Sequence, residues 1–439
     1  MLPRCAMVEK SKSHCQFPSV FARSGLPTTF GASRSARRLG MTSDRAADSS
    51  RSTHAPVSPR RLAVASGALF FVNGMVYGNW LPRIPELKDQ LGLSNTNLGI
   101  TLLGGGIGGI IGSLLAGRVT SRMGSRRLLL RTIVPLPIVM AAIPFVGEAW
   151  LLLLTLSFIG LIDVWADVAM NEQGVIAQER LGRSIMNRLH GLWSLGFGTG
   201  TLVGSLAGGV GISFRVQVVV VALVLLGVVA IVAGSLERSD PKPVAASTGD
   251  QSTLRHLGIA AVALAVAGAG AIALEGAPNE WAALLMRDDF GFGEWAGFGT
   301  VAFGLGMLVG RLSGDHVIER FGSRLVFRVA PFLIAFGLLA VVIGDAAYIG
   351  LAGLFVSGLG QSVIFPRLYL LAARVPGMTA GGGLGAMLIG LRLGGMATSV
   401  SMGALSTGAD LQFALAVVGV VALVMVLTAS AVVSRRVRA

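Results

Sequence analysis

The sequence predicts an all-α integral membrane protein of twelve transmembrane helices, arranged as two pseudo-symmetric six-helix halves. Three observations carry that prediction. Of the 439 residues, 53% are hydrophobic and only 13% charged, with a mean hydropathy of +0.72. The apolar residues fall in long unbroken runs rather than in the short alternating segments of a membrane β-barrel. A short R-x-G-S-R core occurs twice, 198 residues apart.

A soluble domain carries about 25% charged residues, so a water-soluble globule is excluded. A disulfide-stapled domain is excluded as well, because the two cysteines, Cys5 and Cys15, lie in a polar N-terminal stretch. The net charge of +14 resides mainly in arginine, 32 residues against 4 lysines, placed in short loops between apolar runs. That placement is the pattern of membrane loops rather than of a nucleic-acid surface.

Residues 1–61 are rich in Ser and Arg, lack apolar periodicity and read as a disordered basic tail. They contain no secretory apolar stretch, and Met41 is the expected start of translation. The following 372 residues hold about twelve spans of about 20 residues each. These are expected near 62–81, 97–116, 128–147, 150–178, 189–209, 214–235, 257–280, 295–313, 325–344, 346–374, 384–404 and 411–433. The N-terminal half is 62–236, the connecting cytoplasmic linker 237–256, the C-terminal half 257–433 and a basic cytoplasmic tail 434–439. With the N-terminus placed inside, and the tail left aside, nineteen Lys and Arg lie on the cytoplasmic side. Only Arg83, Lys88, Arg215 and Arg287 lie outside, so both termini are expected in the cytoplasm and the protein in the cytoplasmic membrane.

The repeat marks the end of the second and eighth spans. Gly117-Arg-Val-Thr-Ser121-Arg122-Met-Gly124-Ser125-Arg126 follows the former, and Gly314-Asp-His-Val-Ile-Glu319-Arg320-Phe-Gly322-Ser-Arg324 the latter. Trp80 and Trp281 stand in matching positions upstream. Two parallel repeats of six spans are a transporter architecture, with the solute site at the midplane between them.

The first copy resembles the G-x-x-x-D-R-x-G-R-R loop of the major facilitator superfamily. It departs at Ser121, where the family has an Asp that helps gate the cytoplasmic side; the second copy keeps an acid, Glu319. Four further stretches narrow the resemblance: Trp80-Leu-Pro-Arg-Ile-Pro-Glu86, Asp167-Val-Ala-Met-Asn171, Arg183-Ser-Ile-Met-Asn-Arg-Leu-His190-Gly191 and Glu275-Gly-Ala-Pro-Asn-Glu-Trp281. Together they resemble bacterial permeases of the YbjJ type, more distantly similar to fucose permease. The resemblance implies gating roles for Gly117, Arg122, Gly124 and Arg126, and for Glu319, Arg320, Gly322 and Arg324.

Ionisable residues inside a membrane are costly and point to function. Asp163 and Asp167 share one face of the fourth span, with Asn171 a turn further on. They lie roughly 20–26 Å along a helix of about 43 Å, near its middle. Two carboxylates at that depth do not both ionise easily, so one can carry a proton. Asp167-x-x-x-Asn171 also resembles the E-x-x-x-N of fucose permease, where the acid is implicated in proton coupling. Pairing with an Arg to hold the halves together is the structural alternative. The first-span acid of that family is replaced here by Gly78. Asn73, Tyr77 and Asn79 remain as polar groups that can meet a solute, although Tyr77 and Trp80 also suit interfacial anchoring.

Glu275 precedes Gly276 and Pro278, where the seventh helix is expected to break and expose backbone to the cavity; Glu280 and Trp281 are expected at the membrane interface. Gln361 stands at the repeat position of Asp163. Arg367 and Arg392 are expected to face the cavity and pair with a carboxylate, either of the protein or of the substrate, or, for Arg367, to reach the cytoplasmic interface. His190 is expected to cap the cytoplasmic end of the fifth span. The small residues of Gly200–Gly209 resemble a drug-exporter motif without its proline and read chiefly as a close-packing surface.

No phosphate-loop lysine, metal-ligand spacing or nucleophile–base pair is evident, so no cofactor, metal or nucleic acid is expected. The sequence is read as a monomeric secondary transporter moving a small polar, sugar-like solute by alternating access with protons. Export of amphipathic compounds and a membrane-embedded transferase are the alternatives.

Overall fold

The computed structural model describes residues 57–237, 258–375 and 380–438. The expectations for most of the N-terminal tail, including a start at Met41, and for nearly all of the linker lie outside the described residues. Among the described residues all regular structure is helical. Eleven helical segments are long and apolar enough to cross a membrane. The predicted fifth span is a further helix, Met186–Gly209, 24 residues long. Its Arg188, His190, Ser194, Thr199, Thr201 and Ser205 make it the most polar of the set.

Helix α1 (Pro59–Trp80) begins where the Ser58 side chain accepts a hydrogen bond from the Arg61 amide and Pro59 opens the first turn. It is continued by a short helix α2 (Ile84–Gln90). Next come α3 (Asn95–Met123), α4 (Ser125–Ile133) and α5 (Pro135–Ala142). Thus the third predicted span is two helices that meet at Pro135. The N-terminal half is completed by α6 (Ala149–Leu181), α7 (Met186–Gly209) and α8 (Phe214–Val232). The C-terminal half comprises α9 (Ile259–Asp288), α10 (Phe298–Phe321), α11 (Ser323–Ile343), α12 (Ala347–Gln361), α13 (Ile364–Ala372), α14 (Ala380–Gly408) and α15 (Leu411–Arg438).

The repeated R-x-G-S-R cores have the same backbone. Gly124 ends α3 with φ 74°, and Gly322 ends α10 with φ 80°. Each glycine donates its amide to a carbonyl four residues earlier, and the next helix starts at once. A side chain at this φ would be strained, so the glycine makes the sharp reversal possible. The expected gating loops are therefore single-residue connections: Gly117 and Arg122 belong to α3, Glu319 and Arg320 to α10, and Arg126 and Arg324 to the helices that follow.

Two spans differ from expectation in opposite senses. The seventh runs unbroken through Pro278 as α9. Proline removes one amide donor, but Leu274, Ala277, Trp281 and Ala282 on either side are all buried, and this packing holds the helix together. The tenth, expected continuous, is divided at Gln361–Val363 into α12 and α13. Pro366 explains the division, because proline is accommodated in the first turn of a new helix and not in the interior of an old one.

Within the N-terminal half, α1 and α7 pack at backbone distance. A Cβ on Gly200 would lie 2.7 Å from the Met75 carbonyl oxygen, and one on Gly204 2.5 Å from that of Asn79. The Gly200–Gly209 run is thus a close-packing surface, as small residues are in membranes. On the end carrying α4 and the start of α7, Arg180 pairs with Glu237, whose amide also donates to the Gln173 side chain at 2.9 Å. Glu237, expected in the linker, is buried there.

Candidate functional site

The halves meet closely at one end of the bundle. Lys88 of α2 pairs with Asp288 of α9 at 3.4 Å, and Arg287 of α9 pairs with Asp89 of α2 at 2.5 Å. The two cross-pairs are reciprocal: Lys88-Asp89 and Arg287-Asp288 are both base–acid dipeptides, and each gives its base to the acid of the other. Arg287 also donates to the Pro85 carbonyl at 3.1 Å. Nearby, α3 and α14 touch through Asn95, which donates to the Ser406 carbonyl at 3.2 Å, and through the Thr96 and Thr407 hydroxyls at 2.6 Å. A Cβ on Gly99 would strike the Ser399 carbonyl.

Toward the other end α3 and α14 separate. A space of about 360 Å³ opens between Ile110, Ser113 and Leu114 on one side and Leu388, Ile389 and Leu393 on the other. Arg392 stretches across its neck and lies against Gly109. Among the described residues, the hydrogen bonds between α3 and α14 thus lie toward one end and this space toward the other.

Two further cavities lie between these ends. One, of about 220 Å³, is bounded by α1, α3, α6, α7 and α9 and contains Tyr77, Trp80, Phe197, Asn279 and Glu280. The other, of about 290 Å³, lies among α7, α9 and α10 and contains Trp193, Glu275, Asn279 and Arg311. Phe197 and Asn279 line both.

On the N-terminal wall, the predicted polar residues form one connected group. Trp193 donates from Nε1 to Asn73 Oδ1 at 2.7 Å, and Asn73 donates from Nδ2 to Asp163 Oδ1 at 2.8 Å. Tyr77 is a second hydrogen-bonding neighbour of Asp163. One turn on, Asn171 donates to Asp167 Oδ1 at 2.9 Å. The two carboxylates share a helix face but have separate partners, and Asp167 is the more exposed. Arg392 acts on both through space, yet makes no ion pair with either. Of the two partners expected for Arg392, a carboxylate of the protein is thus not engaged, because the guanidinium rests against α3. His190 lies in the second turn of α7, edge-on to Phe70 at 5.3 Å, rather than at the helix end.

Asn79 leaves the site. It is fully buried, accepts from Gln217 Nε2 at 2.8 Å and sits against the Met140 sulfur. Gln217 in turn accepts from Arg83 at 2.8 Å, so Asn79 belongs to the packing between α1 and α8.

On the C-terminal wall, Glu275 lies 3.8 Å from Arg311, and Arg311 also reaches Ser194 of the other half at 3.4 Å. Gln361 is buried, donates to the Ala271 carbonyl at 2.9 Å and neighbours Glu275. It therefore braces the break after α12 against α9. Arg367 points elsewhere: it donates to the Phe327 carbonyl at 3.4 Å and lies 5.1 Å from the Phe327 ring centroid. Glu280, expected at the interface, lines the central cavity and accepts from the Ser399 hydroxyl at 2.6 Å. Glu280, Asn279, Arg311 and Trp193 are the site residues that sequence reasoning passed over. Glu280 and Arg311 carried a signal, as ionisable residues on the apolar seventh and eighth spans.

Comparison with known proteins places this geometry. Residues 67–366 match the model of the Major Facilitator Superfamily. The uncharacterized transporter y4wD of Sinorhizobium fredii is 28% identical over 321 residues, 71% of this chain and 81% of the relative. Membrane protein MosC of Rhizobium meliloti is 28% identical over 323 residues, 72% and 76% of the two chains. Among solved structures, a variant of the nucleoside transporter NupG superposes with a TM-score of 0.70 at 14% identity, covering 84% of this chain and 99% of that one. A bacterial homologue of the human drug peptide transporters PepT1 and PepT2 gives 0.64 at 16% identity, covering 87% and 100%. With the family model spanning well over half of its length, the chain belongs to the Major Facilitator Superfamily and is a multi-pass membrane transporter.

Proposed function

We propose that the protein moves a small polar organic solute across the cytoplasmic membrane by alternating access, coupled to protons. The observation that carries this reading is the asymmetry of the interface. The halves are held by reciprocal ion pairs at one end, and among the described residues a space opens between α3 and α14 toward the other, with carboxylates on the wall between. Arginine-rich connections surround the open end, so the positive-inside rule makes it cytoplasmic and the arrangement inward-open. Both termini then lie in the cytoplasm.

Asp163 and Asp167 are assigned to coupling. A carboxylate that faces an aqueous cavity in one state and is desolvated in the other binds and releases a proton as the halves move. Asn73, Tyr77 and Trp193 orient Asp163, and Asn171 orients Asp167. The family membership and the stretches around Asp167 and Glu275 support placement in the YbjJ-like branch, more distantly akin to fucose permease. The cavity volumes, about 220 and 290 Å³, suit a solute of sugar or nucleoside size.

Uptake by proteoliposomes of a labelled panel of sugars, polyols, amino sugars and nucleosides, with and without an imposed pH gradient, tests the proposal. Gradient-driven accumulation of at least one member, collapsed by a protonophore, is expected. Accumulation of none, with movement only of amphipathic dyes, would replace it with drug export.

A further inference from the structure

The central cavity contains one carboxylate that neither the repeat nor the Asp163–Asp167 pair accounts for. Glu280 lies inside α9, eight residues before its end, which is about 12 Å along the axis. Its carboxylate accepts a hydrogen bond from the Ser399 hydroxyl at 2.6 Å, and no Lys, Arg or His lines the cavity. The walls are instead Tyr77, Trp80 and Phe197, together with Leu102, Leu156 and Ile159. Asn279, beside Glu280, has its Oδ1 without a hydrogen-bond donor.

An acid without a counter-charge in an apolar cavity is costly. What this space lacks is a donor of hydrogen bonds with positive charge. Aromatic faces attract a cation, most strongly a partly desolvated one. The volume, about 220 Å³, exceeds that needed by a proton or a metal ion alone and suits an organic molecule of about a dozen heavy atoms.

We propose that this cavity binds the ammonium group of a small amino-substituted solute, with Glu280 as its counter-ion and Tyr77, Trp80 and Phe197 as its aromatic enclosure. The inference rests on the reading of the protein as a transporter of small polar solutes, and adds that the solute carries a positive nitrogen. Ser399 holds one carboxylate oxygen in place from α14, so the site spans two helices of the C-terminal half, while the aromatic residues come from the N-terminal half. Binding then draws the halves together around the cation.

Paired probes test it. The purified protein in lipid nanodiscs is titrated with glucose and glucosamine, and with ethylene glycol and ethanolamine, following tryptophan fluorescence and thermal unfolding. The amino member of at least one pair should bind more tightly than its neutral partner. Glu280→Gln, checked for an unchanged unliganded melting profile, should weaken the amino member about tenfold to a hundredfold, as expected for loss of a charged hydrogen bond. It should weaken the neutral member far less, and Glu280→Asp should retain part of the preference. Equal binding of amino and neutral members, no binding of either amino probe, or a preference that survives Glu280→Gln would overturn the inference. Transport is scored separately by counterflow of the panel in proteoliposomes. Counterflow of a neutral solute that persists in Glu280→Gln would leave the transporter reading intact while the ammonium site falls. If the only response to Glu280→Gln is altered pH dependence, the residue carries a proton and the ammonium site falls too.

Discussion

Replacing Lys88 by Gln and Asp89 by Asn removes both cross-pairs at the closed end without changing net charge. Arg287 and Asp288 are left on α9, where they already pair with each other at 2.6 Å, so no buried charge is orphaned. The magnitude follows from exposure. Asp89 is 64% exposed and Asp288 30%, with Lys88 and Arg287 better covered at 16% and 24%. Pairs of this kind contribute about 0.5 kcal/mol each once solvent screening is allowed for. Two of them total about 1 kcal/mol, or about a fivefold change in the ratio of the two access states. The assay is the labelling rate of a cysteine at Leu102, a buried residue lining the central cavity, by a membrane-impermeant thiol reagent added outside. Cys5 and Cys15, the two native cysteines, are first replaced by Ser. The double variant should label about fivefold faster at low salt, and raising the salt should bring the parent toward it. Equal rates at low salt would refute the assignment of these pairs to closure.

Asn73→Ala leaves the Trp193 N–H without its acceptor and removes one of the two donors of Asp163. A loss of about 1–3 kcal/mol in stability, together with impaired transport, is expected in thermal unfolding and uptake assays. Gly99→Val forces α3 away from the Ser399 carbonyl at the closed end, so outside labelling of the Leu102 cysteine should rise here too; unchanged labelling would show that α14 yields instead. For topology, a cysteine at Arg183 should be shielded from impermeant reagents in intact cells, while one at Ser213 should react. The reverse pattern would invert the orientation.

Hydropathy sufficed for eleven of the spans, because the bilayer demands long apolar segments whatever they pack against; the fifth, α7, is less apolar than the rest. It did not settle continuity. Pro278 and Pro366 look alike in sequence, yet α9 passes through the first and the tenth span restarts ahead of the second. Buried neighbours on both sides of Pro278 decide the first case, and the position of Pro366 in a first turn decides the other. The same limit misplaced Glu280: with the seventh span ending near Pro278 it belongs to the interface, and with α9 running to Asp288 it belongs to the cavity. Asp163, Asp167 and Asn171 were legible because helical spacing alone puts them on one face. Asn79 and Arg392 were not. The partner of Asn79, Gln217, lies 138 residues away, and Arg392 lies against Gly109 of the other half, a contact that only the arrangement of the halves creates. Glu237 was likewise hidden, since nothing local indicates that it docks against Arg180 and Gln173.

In the proposed coupling, the acids of α6 carry the proton that drives transport. Its most direct test compares two modes of Asp167→Asn in proteoliposomes, using whichever panel solute the parent protein accumulates. Uphill, pH-driven accumulation should be abolished. Solute exchange, which needs no net proton movement, should survive at least in part. Accumulation at the parental level under the same gradient would show that the proton travels by another group, and would contradict the claim.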